Sequence, residues 1–151
     1  MPKWYFEDFV EGFTIERSGA PIQAEEIKAF ATQFDPQYFH TDEEAAKKSL
    51  FGALCCSGWH TSAMCMRLMC DGYLLDSASL GSPGIDELRW VKPVFAGDTL
   101  TMKMTVLESR PSRSKPNIGS VKARWEVFNQ HRELVMHMTG WGLFGKRTPA
   151  S

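Results

Sequence analysis

An α+β fold, an antiparallel sheet of about five strands curled around one long helix, is what this sequence predicts, on three observations. The stretch GWHTSAMCMRLMC, Gly58 to Cys70, holds one charged residue, Arg67, and is apolar nearly all round, as a buried helix is. Beyond Gly81 the texture changes to runs rich in Val, Ile, Leu, Thr, Phe and Trp, over 85–95, 99–109, about 118–129 and 132–144, separated by turn residues. The length of 151 residues with 43% hydrophobic content supplies one ordinary core, so a single domain over 1–151 is expected.

The elements follow in chain order. A strand from about Thr14 to Arg17 adds a fifth member to the sheet. From Glu25 to Phe34 the apolar residues Ile27, Phe30, Ala31 and Phe34 fall at i, i+3, i+4, i+7, one helix face, with Glu25 and Glu26 suited to its positive end. Pro36 stops that helix, because the residue before a proline is pushed out of the helical region. Thr41 and Glu44 fit a capping box opening a short helix from Asp42 to about Lys48. Ala96-Gly97-Asp98 is expected to join the first two long strands as a hairpin loop, and Asn129-Gln130-His131 the last two. Arg110 to Gly119, rich in Pro, Ser and basic residues, reads as a loop inside the domain.

A formal charge of -1 gives no whole-chain field that would draw the protein to nucleic acid or an anionic membrane, so an anionic ligand must be held locally. The opening MPKWYFEDFVEG has acids where a leader peptide has a basic and then an apolar run, and no apolar stretch approaches a membrane span. A soluble cytoplasmic protein is the expectation. Cys55, Cys56, Cys65 and Cys70 form no CxxC pair and read as reduced, buried, small hydrophobes. No metal site is expected, since Asp42 and His60 lack ligand spacing to His40 and are explained by capping and packing.

Asp35 and His40 stand five apart across the proline-broken helix end, so only the loop can bring them together. An acid and an imidazole make a workable acid-base pair near neutrality. Asp before Pro is equally a common turn starter, and the histidine equally a satisfied core residue. Gly58 opens the buried helix, where unpaired N–H groups and a partial positive charge suit a developing oxyanion. Ser57 and Gly58 also suit a helix cap and a close-packing site.

Taken whole, FATQFDPQYFHTDEEAAKKSLFGALCCSGWHT, Phe30 to Thr61, resembles the signature segment of the MaoC-like (R)-specific enoyl-CoA hydratases and dehydratases. LRWVKPVFAGDTL, Leu88 to Leu100, looks like that family's strand-turn-strand, and SRPSRSKPN, Ser109 to Asn117, is similar to a loop of one branch. The resemblance implies a single hot-dog fold and reversible addition of water to a trans-2-enoyl thioester. It implies catalytic roles for Asp35 and His40, and a Gly58 N–H facing the thioester carbonyl. Gln37, Ser57 and Trp59 are then substrate-side positions around the pair, Gln37 standing where asparagine is common and able to brace Asp35. Arg113, with Arg110 and Lys115, offers a cation to the phosphates of coenzyme A, although exposed loop cations are ordinarily just solvated. The resemblance also implies an acyl-CoA substrate and no separate cofactor.

Two departures stand out. Tyr38 occupies the place of a usual proline, and Met66 that of a serine near the aspartate. A hot-dog thioesterase and a non-catalytic acyl-CoA-binding subunit are the alternatives, the second resting on those departures. A single sheet of this kind leaves a face and an edge strand uncovered, so a homodimer or higher homo-oligomer is expected, with substrate near the interface.

Overall fold

A computed structural model describes residues 1–147; residues 148–151 of the expected 1–151 domain lie outside the described residues. The elements in order are β1 (Thr14–Ser18), α1 (Ala24–Phe34), α2 (Tyr38–Thr41), α3 (Glu43–Ala46), α4 (Gly58–Gly72), β2 (Ser79–Trp90), β3 (Thr101–Pro111), β4 (Ile118–Phe128) and β5 (Leu134–Gly145). The five strands form one antiparallel sheet in the order β1-β3-β4-β5-β2, with α4 as its central helix, which is the hot-dog arrangement.

Strand periodicity decides which side chains meet that helix. In β3 Met102, Met104 and Val106 are buried, and in β4 Val121, Ala123, Trp125 and Val127, while the alternate positions are more exposed. They join Cys65, Leu68 and Met69 of α4 in one core. Each Val, Leu or Met among them contributes roughly 1.5–3 kcal/mol on full burial. The Trp125 indole N–H donates to Tyr73 Oη at 2.8 Å, which ties the C-terminal end of α4 to β4 and satisfies a buried donor.

Four expectations need correction. Ala96-Gly97-Asp98 lies in a turn, with Asp98 N–H donating to the Phe95 carbonyl, but it does not close a hairpin. β2 pairs with β5 (Leu88 opposite Met138, Trp90 opposite Met136), while β3 lies between β1 and β4. Segment 91–100 is therefore a crossover, held by Cys56 N–H to the Val94 carbonyl and Gly97 N–H to the Ile22 carbonyl. The first long strand accordingly runs over 79–90 and not 85–95, with register shifts near Gly81, Gly84 and Glu87.

The helix expected over 42–48 is a single turn, α3, capped by Asp42, whose Oδ1 accepts from the Ala45 N–H; Thr41 instead donates back to the Gln37 carbonyl. Both residue types can cap, and Asp42 is the one in extended conformation. Finally, α4 is not covered all round. Trp59 and Met66 are 62% and 44% exposed, because the sheet covers only the face carrying Cys65, Leu68 and Met69. The β4–β5 hairpin through Asn129-Gln130-His131 is as expected, closed by Asn129 N–H to the Glu133 carbonyl.

Candidate active site

The break in the helical path at Pro36 builds the first half of the site. Asp35 closes α1, its N–H still bonded to the Ala31 carbonyl at 2.7 Å while its backbone turns to φ −152°. Gln37 then reaches back, its Nε2 donating to Asp35 Oδ1 at 2.7 Å, the bracing contact expected of it. One helical turn, α2, carries the chain to His40, which is 5% exposed.

Both ring nitrogens of His40 are engaged. Nδ1 lies 2.7 Å from the Cys55 carbonyl oxygen, which can only accept, so this nitrogen carries a proton. Nε2 lies 3.4 Å from Asp35 Oδ2. The Cys55 carbonyl is itself fixed, since the Cys55 N–H donates to the Phe39 carbonyl and the neighbouring Cys56 N–H to the Val94 carbonyl. Partial burial pushes the Asp35 carboxyl upward, but the Ser57 hydroxyl, the Gln37 amide and the His40 ring together outweigh it and hold it below its ordinary value. Burial, with the Asp35 charge, pushes the Cys55 thiol up to about 11, so this sulfur near the ring is a neutral thiol and not a nucleophile.

The second half is the start of α4. Ser57 is its N-cap by position, yet its buried Oγ makes no cap bond and has no partner within hydrogen-bond geometry among the described residues; its nearness is felt by Asp35. The N–H groups of His60 and Thr61 bond to the Ser57 carbonyl, whereas those of Gly58 and Trp59 precede the first intrahelical bond. Gly58 is glycine for a visible reason: a Cβ there would stand 2.6 Å from the Trp90 ring. The Trp90 indole N–H donates to Ser62 Oγ at 3.1 Å, and Ser62 donates in turn to the Gly58 carbonyl at 3.1 Å.

A cavity of about 340 Å³ brings these halves together, lined by His40, Cys55, Gly58, Thr61 and Trp90 among others. An imidazole with a fixed ring orientation and a helix N-terminus thus face one space, with the ionised acid behind the imidazole at 3.4 Å, an arrangement suited to proton transfer beside a developing oxyanion.

Of the residues expected here, Asp35, His40, Gln37, Ser57 and Gly58 come together. Trp59 stands just outside, exposed, its ring edge against Trp90 at 5.1 Å between centroids. Arg113 is apart, in a surface recess with Arg110, Pro111, Ser120 and Trp141 on the β3–β4 turn. Tyr38 simply begins α2, and Met66 lies on the uncovered face of α4, so the hydroxyl that acts on Asp35 is that of Ser57. Two participants were not read from the sequence. The Cys55 carbonyl carries no side-chain signal, and Trp90 lay inside the quoted LRWVKPVF stretch with nothing to link it to Gly58.

The sequence matches the family model described as a MaoC like domain over residues 10–127. The crystal structure of the MaoC-like dehydratase from Rhodospirillum rubrum superposes with a TM-score of 0.87 at 40% identity, covering 95% of this chain and 98% of that one. The uncharacterized protein YdeM of Bacillus subtilis is 30% identical over 130 residues, 85% of this chain and 90% of that protein. Mesaconyl-CoA hydratase of Cereibacter sphaeroides is 37% identical over 68 residues, 45% of this chain and 20% of that enzyme.

Proposed function

The chain belongs to the family of MaoC-like dehydratases, and from that premise we propose that it adds water reversibly across a trans-2-enoyl-CoA thioester to give a 3-hydroxyacyl-CoA. The observation that carries this reading is the approach of Asp35 Oδ2 to His40 Nε2, at 3.4 Å, beside the free N–H end of α4. The partial likeness to mesaconyl-CoA hydratase supports the same chemistry.

Asp35, held ionised by its neighbours, is the group that can accept a proton and is given the part of base. Asp35 and His40 hold a water; Asp35 takes its proton as the oxygen bonds to C3. The electron pair of the double bond moves toward the thioester, and the enolate oxygen meets the Gly58 N–H. In this scheme His40 starts as the imidazolium paired with the Asp35 carboxylate; C2 takes its Nε2 proton, while Nδ1–H stays on the Cys55 carbonyl. Return of the proton from Asp35 to His40 restores the site, with no group needed beyond the thioester substrate.

The test is a panel of enoyl- and hydroxyacyl-CoA thioesters, following the conjugated double bond alongside free thiol. Loss of the double bond without thiol is the expected result. Thiol release would make the protein a thioesterase, and neither signal would make it a binding subunit.

The same reading includes a homodimer formed along β2. This edge strand exposes Leu80, Ile85 and Trp90, beside the uncovered Trp59 and Met66 of α4. Sedimentation at micromolar concentration should give twice the chain mass; a monomer would rule it out.

A further inference from the structure

We propose that Trp90 is a partition that sets acyl-chain length, closing the cavity lined by His40 and Gly58 off from a second, apolar cavity alongside the same helix. The inference rests on the hydratase reading and adds a substrate class to it: short enoyl chains.

Two elements measure the partition independently. Along α4, Gly58, Ser62 and Met66 share one stripe at i, i+4 and i+8, successive members about 6 Å apart. The Trp90 indole covers the first two, lying where a Gly58 Cβ would be and donating to Ser62 Oγ. The third, Met66, lines an apolar cavity of about 190 Å³ with Met69, Tyr73, Ile85, Trp141 and Phe144. Along β2 the order is the same. Ile85 lines the apolar cavity and Trp90 the His40 cavity, about 16 Å apart along the strand.

A thioester carbonyl held at the Gly58 N–H sends an acyl chain that follows this stripe straight into the indole. Trp90 is 45% exposed on the β2 edge, and its indole is held in place by its bond to Ser62 and by the Trp59 edge. Behind it the cavity is lined mostly by apolar side chains, with hydroxyls from Ser79, Ser82 and Tyr73. Its Tyr73 hydroxyl is already bonded to Trp125, and its Ser82 hydroxyl to the Trp141 carbonyl. Removing the wall joins the two spaces into one channel for a longer apolar tail, and not for a terminal carboxylate.

The experiment compares kcat/KM for trans-2-butenoyl-CoA and trans-2-octenoyl-CoA in the native protein and Trp90→Ala. The native protein should favour butenoyl, and the octenoyl-to-butenoyl ratio should rise at least about tenfold in the variant. Met66→Ala should leave the ratio alone while Trp90 stands, and raise it further once Trp90 is gone. An unchanged ratio in Trp90→Ala overturns the proposal. Calorimetric binding of saturated butanoyl- and octanoyl-CoA separates the two readings: a gain in octanoyl affinity without any hydration keeps the partition and removes the hydratase. Trp90→Leu, which takes away the aromatic rings and keeps an apolar side chain, repeats the test if the alanine variant does not fold.

Discussion

Two histidines are buried around the start of α4, and their surroundings differ in every respect but burial. His40 is 5% exposed and has a carbonyl on one nitrogen and a carboxylate near the other. His60 is 8% exposed, lies flat on Phe30 at 4.6 Å between centroids, and its Nδ1 has no hydrogen-bond partner among the described residues. Burial holds the His60 pKa below its ordinary value, with Glu26 opposing and His40 reinforcing the effect. Enclosure alone turns an imidazole into a flat core ring. A proton-handling device also needs a partner on each nitrogen, and His40 has both, the Asp35 carboxylate from the end of α1 and the Cys55 carbonyl from the segment before α4.

The comparison is broken most directly by turnover. Asp35→Asn and His40→Gln should each lower hydration by about 100-fold or more, since each keeps size and removes proton transfer. His60→Gln should not, and steady-state rates with circular dichroism as the fold control would show it. Equal losses at His40 and His60 would erase the distinction.

A smaller effect sharpens the description of the helix start. Gly58→Ala keeps the N–H but drives a methyl against Trp90, so it should cost about 1–3 kcal/mol in urea unfolding. Combined with Trp90→Ala that cost should vanish, because the two residues contact one another. Additive losses would mean that Gly58 is glycine for some other reason.

The smallest effect is a pH slope. The folded-state pKa of His60 lies below its ordinary 6.5, so on acidification through that value the unfolded chain binds a proton that the folded one resists. Stability should therefore fall as pH drops below 6.5 and level off once the folded-state pKa is passed. Asp35 does not mask this, because a lowered carboxyl keeps its contribution until the pH falls below its ordinary 3.8. His60→Leu should flatten the slope just below pH 6.5 in urea titrations; a slope that persists belongs to another group.

What could be read in advance was local. Pro36 after Asp35, the one-sided apolar spacing of 27–34 and the helix opening at Gly58 each depend on neighbours in sequence, and each stands in the structure. The turn at 96–98 was legible as a turn, but its residues do not say which strands pair, and β2 joins β5 instead. Pairing across the sheet is decided by packing of the whole core, which no window of residues contains. For the same reason Trp90 and Gly58, thirty-two positions apart, could not be matched, although each lay within a quoted motif. The apolar circumference of α4 was read as complete burial because composition does not say what covers a face.

The two free edges of the sheet are unequal, and this bears on how far self-association can proceed. β1 is five residues, with Glu16 and Arg17 exposed, whereas β2 is twelve residues, interrupted by Gly81 at φ +103° and Gly84 at φ +152°. Such kinks spoil the straight, open ladder that stacks indefinitely. If two copies join along β2 about a two-fold axis, each has spent its long edge and keeps only a short, charged one. Growth then ends in a closed particle, and the long strand that would otherwise seed a filament is consumed in the step that completes it.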